Sequence, residues 1–269
     1  MCIRDRAQSH EDGVWWLGHA SVLLQLDGNI ILTDPVFSRR ASPLPFLGPQ
    51  RKTPPVLSVE QLHQLDAVVI SHNHYDHLDD ATIRRILKRF PDVCCFVPLG
   101  LADWFRRRGA KRVVELDWWQ SFTWQGMTLT AVPAQHWSMR TPWNRNRSLW
   151  CGWVMEGRHH RFWFSGDTGY SPELLLIPER LGQIDAAALP IGAYAPRWFM
   201  AVHHMDPQSA VALWQQLGCP LAFPIHWGVF ELADEALDEP VQELTDALDN
   251  LAPVNHSFRI LKIGEYLSF

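Results

Sequence analysis

The stretch His72-Asn73-His74-Tyr75-Asp76-His77 decides the fold, because it places four metal-ligand side chains within six residues directly after an apolar run. That run, Asp66-Ala67-Val68-Val69-Ile70-Ser71, is rich in β-branched residues and is typical of a buried strand. The cluster therefore leaves the end of a strand and enters a loop, where binding and catalytic residues are usually placed. Imidazole and carboxylate ligands together suit zinc or a similar divalent ion.

Four ligands packed this closely cannot all reach one ion without strain. Two neighbouring ions could divide them, with His72 and His74 on one ion and Asp76 and His77 on the other. The spacing therefore predicts a two-metal site.

A two-metal site needs further ligands, and three candidates each follow an apolar run. They are His136 after 127–133, Asp167 after 161–166 and His226 after 221–225. A lone histidine is more often a core or surface residue than a ligand, but the six-residue cluster reverses that expectation. The same order of strand and then ligand recurs four times, which favours a single site built from all seven side chains.

These seven positions resemble the signature of metallo-β-lactamase-fold hydrolases, His-x-His-x-Asp-His followed by an isolated His, an Asp and a final His. A closer resemblance, from about Val14 to about Tyr266, is to the N-acylphosphatidylethanolamine-hydrolysing phospholipase D family. The metal motif identifies only the superfamily, and the sequence blocks around it narrow the choice. These blocks are WLGHAS at 16–21, LTDP at 32–35, 71–79, VPLG at 97–100, ELDWW at 115–119, QHW at 135–137, GDTGY at 166–170, PIGAY at 190–194, PRWFM at 196–200, HMDP at 204–207 and IHWG at 225–228.

Length and composition indicate a globular chain with a substantial core: it has 269 residues, of which 47% are hydrophobic and 20% charged. We expect a single hydrolase domain over 13–269. The preceding segment 1–12 matches nothing in the family and is expected to be disordered or an artefact of a truncated start. The net charge of −5 argues against a nuclease, so we expect no nucleic-acid partner.

The five cysteines (Cys2, Cys94, Cys95, Cys151 and Cys219) are odd in number and irregularly spaced, which gives no disulfide framework and indicates a reducing compartment. No signal-peptide hydrophobic region begins the chain. We expect a cytoplasmic protein, with peripheral contact at the inner membrane as an alternative. An anchor on a longer native N-terminus and a homodimer are both left open.

The order of predicted elements indicates an α/β protein with mixed sheets. Early strands are predicted at 14–17, 22–26 and 30–33, with a hairpin signal at Asp27-Gly28-Asn29. Helices are predicted at 59–65, 81–89, 99–108, 207–217 and 240–250, and late strands at 186–189, 221–224 and 259–263. This order predicts two mixed sheets stacked face to face with helices outside, an αββα sandwich. The resemblance implies the same metallo-β-lactamase fold.

The ligands suggest how two ions would be held. We expect His72, His74 and His136 to hold one ion, and Asp76, His77 and His226 the other, with Asp167 and a hydroxide bridging them. The expected cofactor is two Zn²⁺ per chain, with iron or manganese as replacements. Metal coordination lowers the pKa of water from 15.7 to about 7, so the hydroxide would be available at neutral pH to attack phosphorus.

Two residues are candidates for catalysis. Asp76 can orient the hydroxide, and His204 would stabilise charge on the phosphoryl oxygens. The role of His204 is carried over from the resemblance, because the family has a functional histidine near the substrate phosphate at the matching position.

The resemblance also implies the substrate class. It predicts a phospholipase D-type phosphodiesterase that cleaves N-acylphosphatidylethanolamine-type phospholipids to phosphatidic acid and N-acylethanolamine. One alternative is a hydrolase of the same fold acting on a carboxylic ester, lactone or β-lactam. The other is a metal-binding protein without catalysis.

Loop residues near the ligands are candidates for substrate contact: Tyr75, Tyr194, Arg197, Trp198 and Phe46. The aromatic side chains could form an apolar wall or dip into a membrane interface, although core packing explains most of the fourteen tryptophans. Arg197 could pair with a phosphate or form a structural salt bridge.

Asp34 and His19 are polar residues in apolar surroundings. A buried carboxylate is costly unless it is paired. We expect Asp34 to hydrogen-bond the ligand loop and fix an imidazole tautomer, with a turn cap as the alternative. The sequence leaves the role of His19 undecided.

Overall fold

Two seven-stranded mixed sheets form the centre of the protein. This computed structural model describes residues 11–251 and 257–269, so most of the predicted N-terminal segment and Cys2 lie outside the described residues. The first sheet contains, in spatial order, β14 (Tyr266–Ser268), β1 (Gly13–Gly18), β2 (Ser21–Leu26), β3 (Asn29–Thr33), β4 (Ala67–Val69), β5 (Cys94–Pro98) and β6 (Arg112–Leu116). The second contains β13 (Ser257–Phe258), β12 (Leu221–Ile225), β11 (Ala186–Pro190), β10 (Arg161–Phe164), β9 (Gly152–Glu156), β8 (Met127–Val132) and β7 (Ser121–Trp124).

The two sheets pack face to face through a shared hydrophobic core. Trp16 and Phe96 of the first sheet pack with Trp153 and Phe164 of the second. Successive strand residues point to opposite faces, so Trp15, next to Trp16, belongs to the outer core instead. Burying a large apolar side chain contributes roughly 1.5 to 3 kcal/mol, which makes this interface a major source of stability.

Helices cover the outer face of each sheet. The first sheet is covered by α1 (Asp80–Arg89) and α2 (Ala102–Arg106). The second is covered by α3 (Leu176–Leu181), α5 (Pro207–Leu217) and α6 (Glu239–Asp249), while the short α4 (Arg197–Met200) buries none of its residues. The predicted αββα sandwich is confirmed. Within the described part of the chain, no helix is long and apolar enough to cross a membrane.

The helix predicted at 207–217, which has clear capping residues at both ends, has the predicted bounds. At the start of α5, the Asp206 carboxylate accepts a hydrogen bond from the Ser209 amide at 2.7 Å, and Pro207 occupies the first turn. Gly218 ends the helix in a left-handed conformation with φ of 60°.

Three predicted elements were wrong or too long. The helix expected at 59–65 is a single 3₁₀ turn, Val59–Gln61, because Leu62 is extended and its carbonyl accepts hydrogen bonds from the Arg89 guanidinium. The helix expected at 99–108 shortens to α2, since Gly100 has φ of 92° and its amide donates to the Glu115 carboxylate.

The strand expected at 259–263 is absent, although residues on either side of it are in strands. The Arg259 amide still bonds the Ala222 carbonyl of the second sheet, and the Gly264 amide then bonds the Trp16 carbonyl of the first. The segment therefore crosses between the sheets instead of extending either one.

Strand direction brings the candidate site residues to one end of each sheet. In the first sheet β1, β3 and β4 run in the same direction, as β8, β10 and β12 do in the second. Their carboxyl ends are followed by His19, Asp34, the ligand loop 72–77, His136, Asp167 and His226. The topology therefore places all of these residues at the carboxyl ends of strands that run in one direction within each sheet.

Candidate metal centre

Three of the predicted ligands form a first ligand group, His72, His74 and His136. His72 Nε2 lies 2.8 Å from His74 Nδ1, and His136 Nε2 lies 3.2 Å from the same atom. These nitrogens lie close enough together to share one ion.

Three others form a second ligand group, Asp76, His77 and His226. The Nε2 atoms of His77 and His226 each lie 3.3 Å from Asp76 Oδ2. Asp167 lies between the two groups. Its Oδ2 is 3.2 Å from His77 Nε2 and 3.0 Å from His226 Nε2, and 3.9 and 3.8 Å from the Nε2 atoms of His72 and His136. The structure thus brings all seven predicted ligands together.

Asp34 and Ser71 set the protonation of two ligand rings. Asp34 accepts hydrogen bonds from the Ser71 amide at 2.7 Å, from the Ser71 hydroxyl, and from His77 Nδ1 at 2.6 Å. Because the Ser71 hydroxyl hydrogen is donated to Asp34, its oxygen accepts from His72 Nδ1 at 2.8 Å. Both rings therefore donate from Nδ1, which leaves Nε2 as the nitrogen that faces the site and can bind a metal.

His136 has the same arrangement through a different partner. Its Nδ1 lies 3.0 Å from the His203 carbonyl, which can only accept, so Nε2 is again the nitrogen that can bind a metal. His77 Nε2 and Asp167 Oδ1 are buried without a hydrogen-bond partner among the residues described. Buried polar atoms are costly when unpaired, and a cation between this nitrogen and this oxygen would satisfy them. The residues therefore fit a divalent metal.

The electrostatics agree with that fit. Burial lowers the pKa of His72 and His136 well below its usual range, which keeps these rings neutral as metal ligation requires. Burial would also lower the pKa of His226, but Asp167 and Asp76 raise it to about 9. Burial would raise the pKa of Asp167, yet His226 and His77 hold it well below its usual range. The carboxylates thus attract positive charge.

The approach of the two sheets at this site requires a glycine. Gly166, directly before Asp167, has φ of 61°, and a Cβ there would lie 2.5 Å from the Ser71 Cβ. Only glycine adopts this conformation without strain and leaves room for Ser71. The loop after β10 can therefore bring Asp167 against the ligand loop.

Arg140 holds the ligand loop and was not identified from the sequence. Its Nη1 donates to the Asn73 carbonyl at 2.9 Å and to the Leu78 carbonyl at 2.6 Å. The guanidinium carbon lies 4.0 Å from the Tyr75 ring centre, and the Tyr75 hydroxyl donates to the Arg140 carbonyl at 2.9 Å. Burial lowers the pKa of Arg140. This side chain ties both ends of the ligand loop to the segment that follows His136.

A cleft of about 420 Å³ opens over the ligands. His74, Asp76, Asp167 and His226 contribute to its lining, together with His204. Much of the remaining wall is apolar: Ala41, Pro49, Trp137, Met139, Pro142, Ala193, Met200 and Leu232. The candidate metal centre is therefore accessible to a substrate with apolar parts.

The comparisons with known proteins agree with this geometry. Residues 29–227 match the β-lactamase superfamily domain. The chain belongs to the β-lactamase superfamily. It is 42% identical over 264 residues to N-acyl-phosphatidylethanolamine-hydrolyzing phospholipase D 1 of Caenorhabditis elegans. The aligned region covers 93% of this chain and 74% of the nematode protein. This identity and coverage place the chain in the family of the nematode protein, as the sequence motifs predicted.

Two further proteins are similar to this chain over most of its length. The mitochondrial N-acyl-phosphatidylethanolamine-hydrolyzing phospholipase D of Saccharomyces cerevisiae is 33% identical over 85% of this chain, which spans 50% of the yeast protein. The solved structure of the metallo hydrolase Igni18 from Ignicoccus hospitalis matches with a TM-score of 0.71 at 21% identity, over 96% of this chain and 98% of that one. The protein is therefore a metal-dependent hydrolase with the metallo-β-lactamase fold.

His204, which the resemblance to the phospholipase D family made a candidate for catalysis, lies beside the ligands. It lines the cleft, and its Nδ1 lies 3.9 Å from Asp167 Oδ2. Burial lowers the pKa of His204 to about 4, so the ring is neutral at pH 7 and can donate one N–H.

The predicted substrate-contact residues separate into three groups. Tyr75 lines the cleft, whereas Tyr194 is buried and outside the lining. Arg197 is also outside it, because its guanidinium pairs with Asp206 and Glu243, which is the structural salt bridge named as the alternative. Phe46 and Trp198 do not line the cleft and are exposed to 74% and 83%.

Proposed function

We propose that the protein is a zinc-dependent phosphodiesterase that hydrolyses N-acylphosphatidylethanolamine-type phospholipids to phosphatidic acid and N-acylethanolamine. The observation that carries the proposal is the ligand cluster in a cleft that has an apolar wall and exposed aromatic side chains on neighbouring loops. A lipid with a polar phosphodiester between apolar arms suits such a cleft. The names of the nematode and yeast relatives support the same substrate class.

The two ligand groups would each hold one zinc ion, with Asp167 between them. Bound divalent ions supply positive charge next to the phosphoryl oxygens and lower the pKa of water to about 7, which makes hydroxide available at neutral pH. The Nδ1 hydrogen bonds of His72, His77 and His136 keep their Nε2 atoms free for this purpose.

Asp76 orients the attacking water. Burial would raise the pKa of Asp76, but His77, His19 and His226 hold it well below its usual range. Such a carboxylate accepts a hydrogen bond from water but is too weak a base to keep a proton, so its role is orientation.

His204 donates its N–H to a phosphoryl oxygen, where negative charge increases in the transition state. The water oxygen bonds to phosphorus, and the bond between phosphorus and the ethanolamine oxygen breaks. The leaving oxygen takes up a proton and departs as N-acylethanolamine, while the phosphate stays on the diacylglycerol as phosphatidic acid.

A lipid-class screen tests the proposal. Metal-loaded protein is incubated with N-acylphosphatidylethanolamine, other glycerophospholipids, lactones and a β-lactam, and the products are identified by mass spectrometry. Release of N-acylethanolamine supports the phosphodiesterase. Free fatty acid or a ring-opened product would support a carboxylic-ester, lactone or β-lactam hydrolase instead.

Exposed apolar side chains on three segments next to the cleft form what we call the aromatic rim: Phe46, Trp143 and Trp198. They are 74%, 83% and 83% exposed. Each lies in a segment that also lines the cleft, through Pro49, Pro142 and Met200. We propose that the rim enters the membrane interface and brings the cleft to its lipid substrate.

The substitutions Phe46→Ser and Trp198→Ser should each weaken binding to phosphatidylcholine vesicles containing N-acylphosphatidylethanolamine. Full burial of one large apolar side chain contributes roughly 1.5 to 3 kcal/mol, so the loss should approach tenfold or more. Vesicle sedimentation measures the binding, and turnover of a short-chain, monomeric substrate should stay unchanged.

Phe122→Ser is the matched control for the rim. Phe122 is 42% exposed on the edge strand β7 and does not line the cleft, so its loss should leave vesicle binding unchanged. Wild-type vesicle binding and wild-type turnover of bilayer substrate in both rim variants would exclude the rim as the membrane-facing surface.

A further inference from the structure

His19, directly after β1, contacts two members of the second ligand group. Its Nε2 lies 3.0 Å from Asp76 Oδ2, and its main-chain carbonyl accepts the His226 amide at 3.0 Å. The residue is 1% exposed. One buried residue on the first sheet thus connects the ligand loop of that sheet to the ligand that follows β12 on the other.

The backbone at His19 is held in an uncommon conformation. Its φ is 54°, a left-handed value that residues other than glycine seldom adopt. The His19 carbonyl also accepts the Trp16 indole N–H at 2.9 Å. These contacts hold a conformation that costs free energy, and such conformations persist only where the surroundings determine them. The result is that both the imidazole and the carbonyl contact the second ligand group.

The hydrogen bond to Asp76 has a defined direction. An ionised carboxylate only accepts, so His19 Nε2 carries the hydrogen and donates it. His19 Nδ1 is buried and has no hydrogen-bond partner within residues 11–251 and 257–269. The polar contact of this ring is therefore the one to Asp76, while its faces and edge pack against His226 and Phe230 at ring-centre distances of 4.2 and 5.2 Å.

We infer that His19 is a positioning residue for the second metal: it orients the Asp76 carboxylate through Nε2–H and fixes the position of His226 through its carbonyl. The first ligand group has no such contact with His19 among the described residues. His19 therefore controls the affinity of one ion and not of the other. This inference rests on the proposed two-ion centre and is independent of the phospholipid substrate.

The test compares His19→Phe, which keeps an aromatic ring and removes the N–H, with His19→Gln, which keeps an N–H donor and removes the ring. Zinc affinity is measured by competition with a chromophoric chelator, and stoichiometry by elemental analysis. Loss of a hydrogen bond to a metal ligand typically weakens metal affinity about 10- to 100-fold. In His19→Phe we expect this loss of zinc affinity for one ion, while the other ion keeps its wild-type affinity. His19→Gln should recover part of the loss, and His159→Phe, at an exposed turn, should match the wild type.

A second measurement needs no variant and covers the case in which His19→Phe does not fold. In zinc-loaded wild-type protein labelled with ¹⁵N in its histidine rings, the two-bond ¹H–¹⁵N spectrum should show His19 with its hydrogen on Nε2. A metal-bound or unprotonated Nε2 would overturn the inference, because His19 would then be a ligand. Equal weakening of both ions, or wild-type affinity for both, in His19→Phe would overturn it as well.

These outcomes are separate from those of the proposed function. A wild-type protein that binds two ions but leaves N-acylphosphatidylethanolamine intact would contradict the substrate and leave the role of His19 standing.

Discussion

The Asp167→Ala protein should lose both metal ions and show kcat/KM for N-acylphosphatidylethanolamine reduced by more than about a thousandfold, since metal ions stabilise the transition state by several kcal/mol and each 1.36 kcal/mol is tenfold in rate. Asp167 Oδ2 lies 3.0 to 3.9 Å from Nε2 atoms of both ligand groups. Its removal takes away the carboxylate that both groups share, and with it part of the negative charge that would hold the ions.

Elemental analysis and lipid turnover measure the two effects. Asp185→Ala is a matched control, because Asp185 precedes β11 at the opposite end of the same sheet, where its carboxylate accepts the Arg161 amide at 2.7 Å. It should keep both ions. An Asp167→Ala protein with the wild-type metal content would show that Asp167 is not shared between two ions.

The His204→Ala protein should keep both ions and lose turnover, with kcat lowered about 10²- to 10³-fold, the range found when one donor to a developing oxyanion is removed. KM should change little, because an interaction made mainly in the transition state affects turnover more than substrate binding. Steady-state kinetics and metal analysis on the same preparation test this directly.

His203→Ala is the control for His204. It removes the neighbouring imidazole but keeps the main-chain carbonyl that holds His136 Nδ1, so metal content and kcat should stay close to wild type. Normal turnover in His204→Ala would remove this residue from catalysis. Loss of an ion in the same variant would show that His204 is a ligand, a role that its proximity to His136 and Asp167 also permits.

The sequence predicted the parts of the molecule that depend on local pattern. The ligand loop 72–77, its preceding strand and α5 with its caps are set by residues a few positions apart, so periodicity and capping rules apply. The end-of-strand position of each ligand also follows from local order. The αββα arrangement was therefore predictable before the structure.

Contacts between distant parts of the chain were not predictable in this way. Arg140 holds carbonyls 67 and 62 residues away, and His19 contacts Asp76 over 57 residues. One of the two partners of Arg197, Glu243, is 46 residues away, so a salt bridge and a phosphate contact were equally consistent with the sequence. A distant contact also explains why the helix predicted at 59–65 is only a 3₁₀ turn at Val59–Gln61. The Arg89 guanidinium bonds the Leu62 carbonyl, which a longer helix would use for its own hydrogen bond.

Hydrolysis of N-acylphosphatidylethanolamine in H₂¹⁸O by the zinc-loaded protein tests the central claim most directly, because it identifies both the bond that breaks and the atom that is attacked. The account predicts phosphatidic acid and N-acylethanolamine in equal amounts, with ¹⁸O in the phosphate of phosphatidic acid and none in N-acylethanolamine. Release of free fatty acid, or ¹⁸O in the N-acylethanolamine hydroxyl, would contradict attack at phosphorus and with it the proposed function.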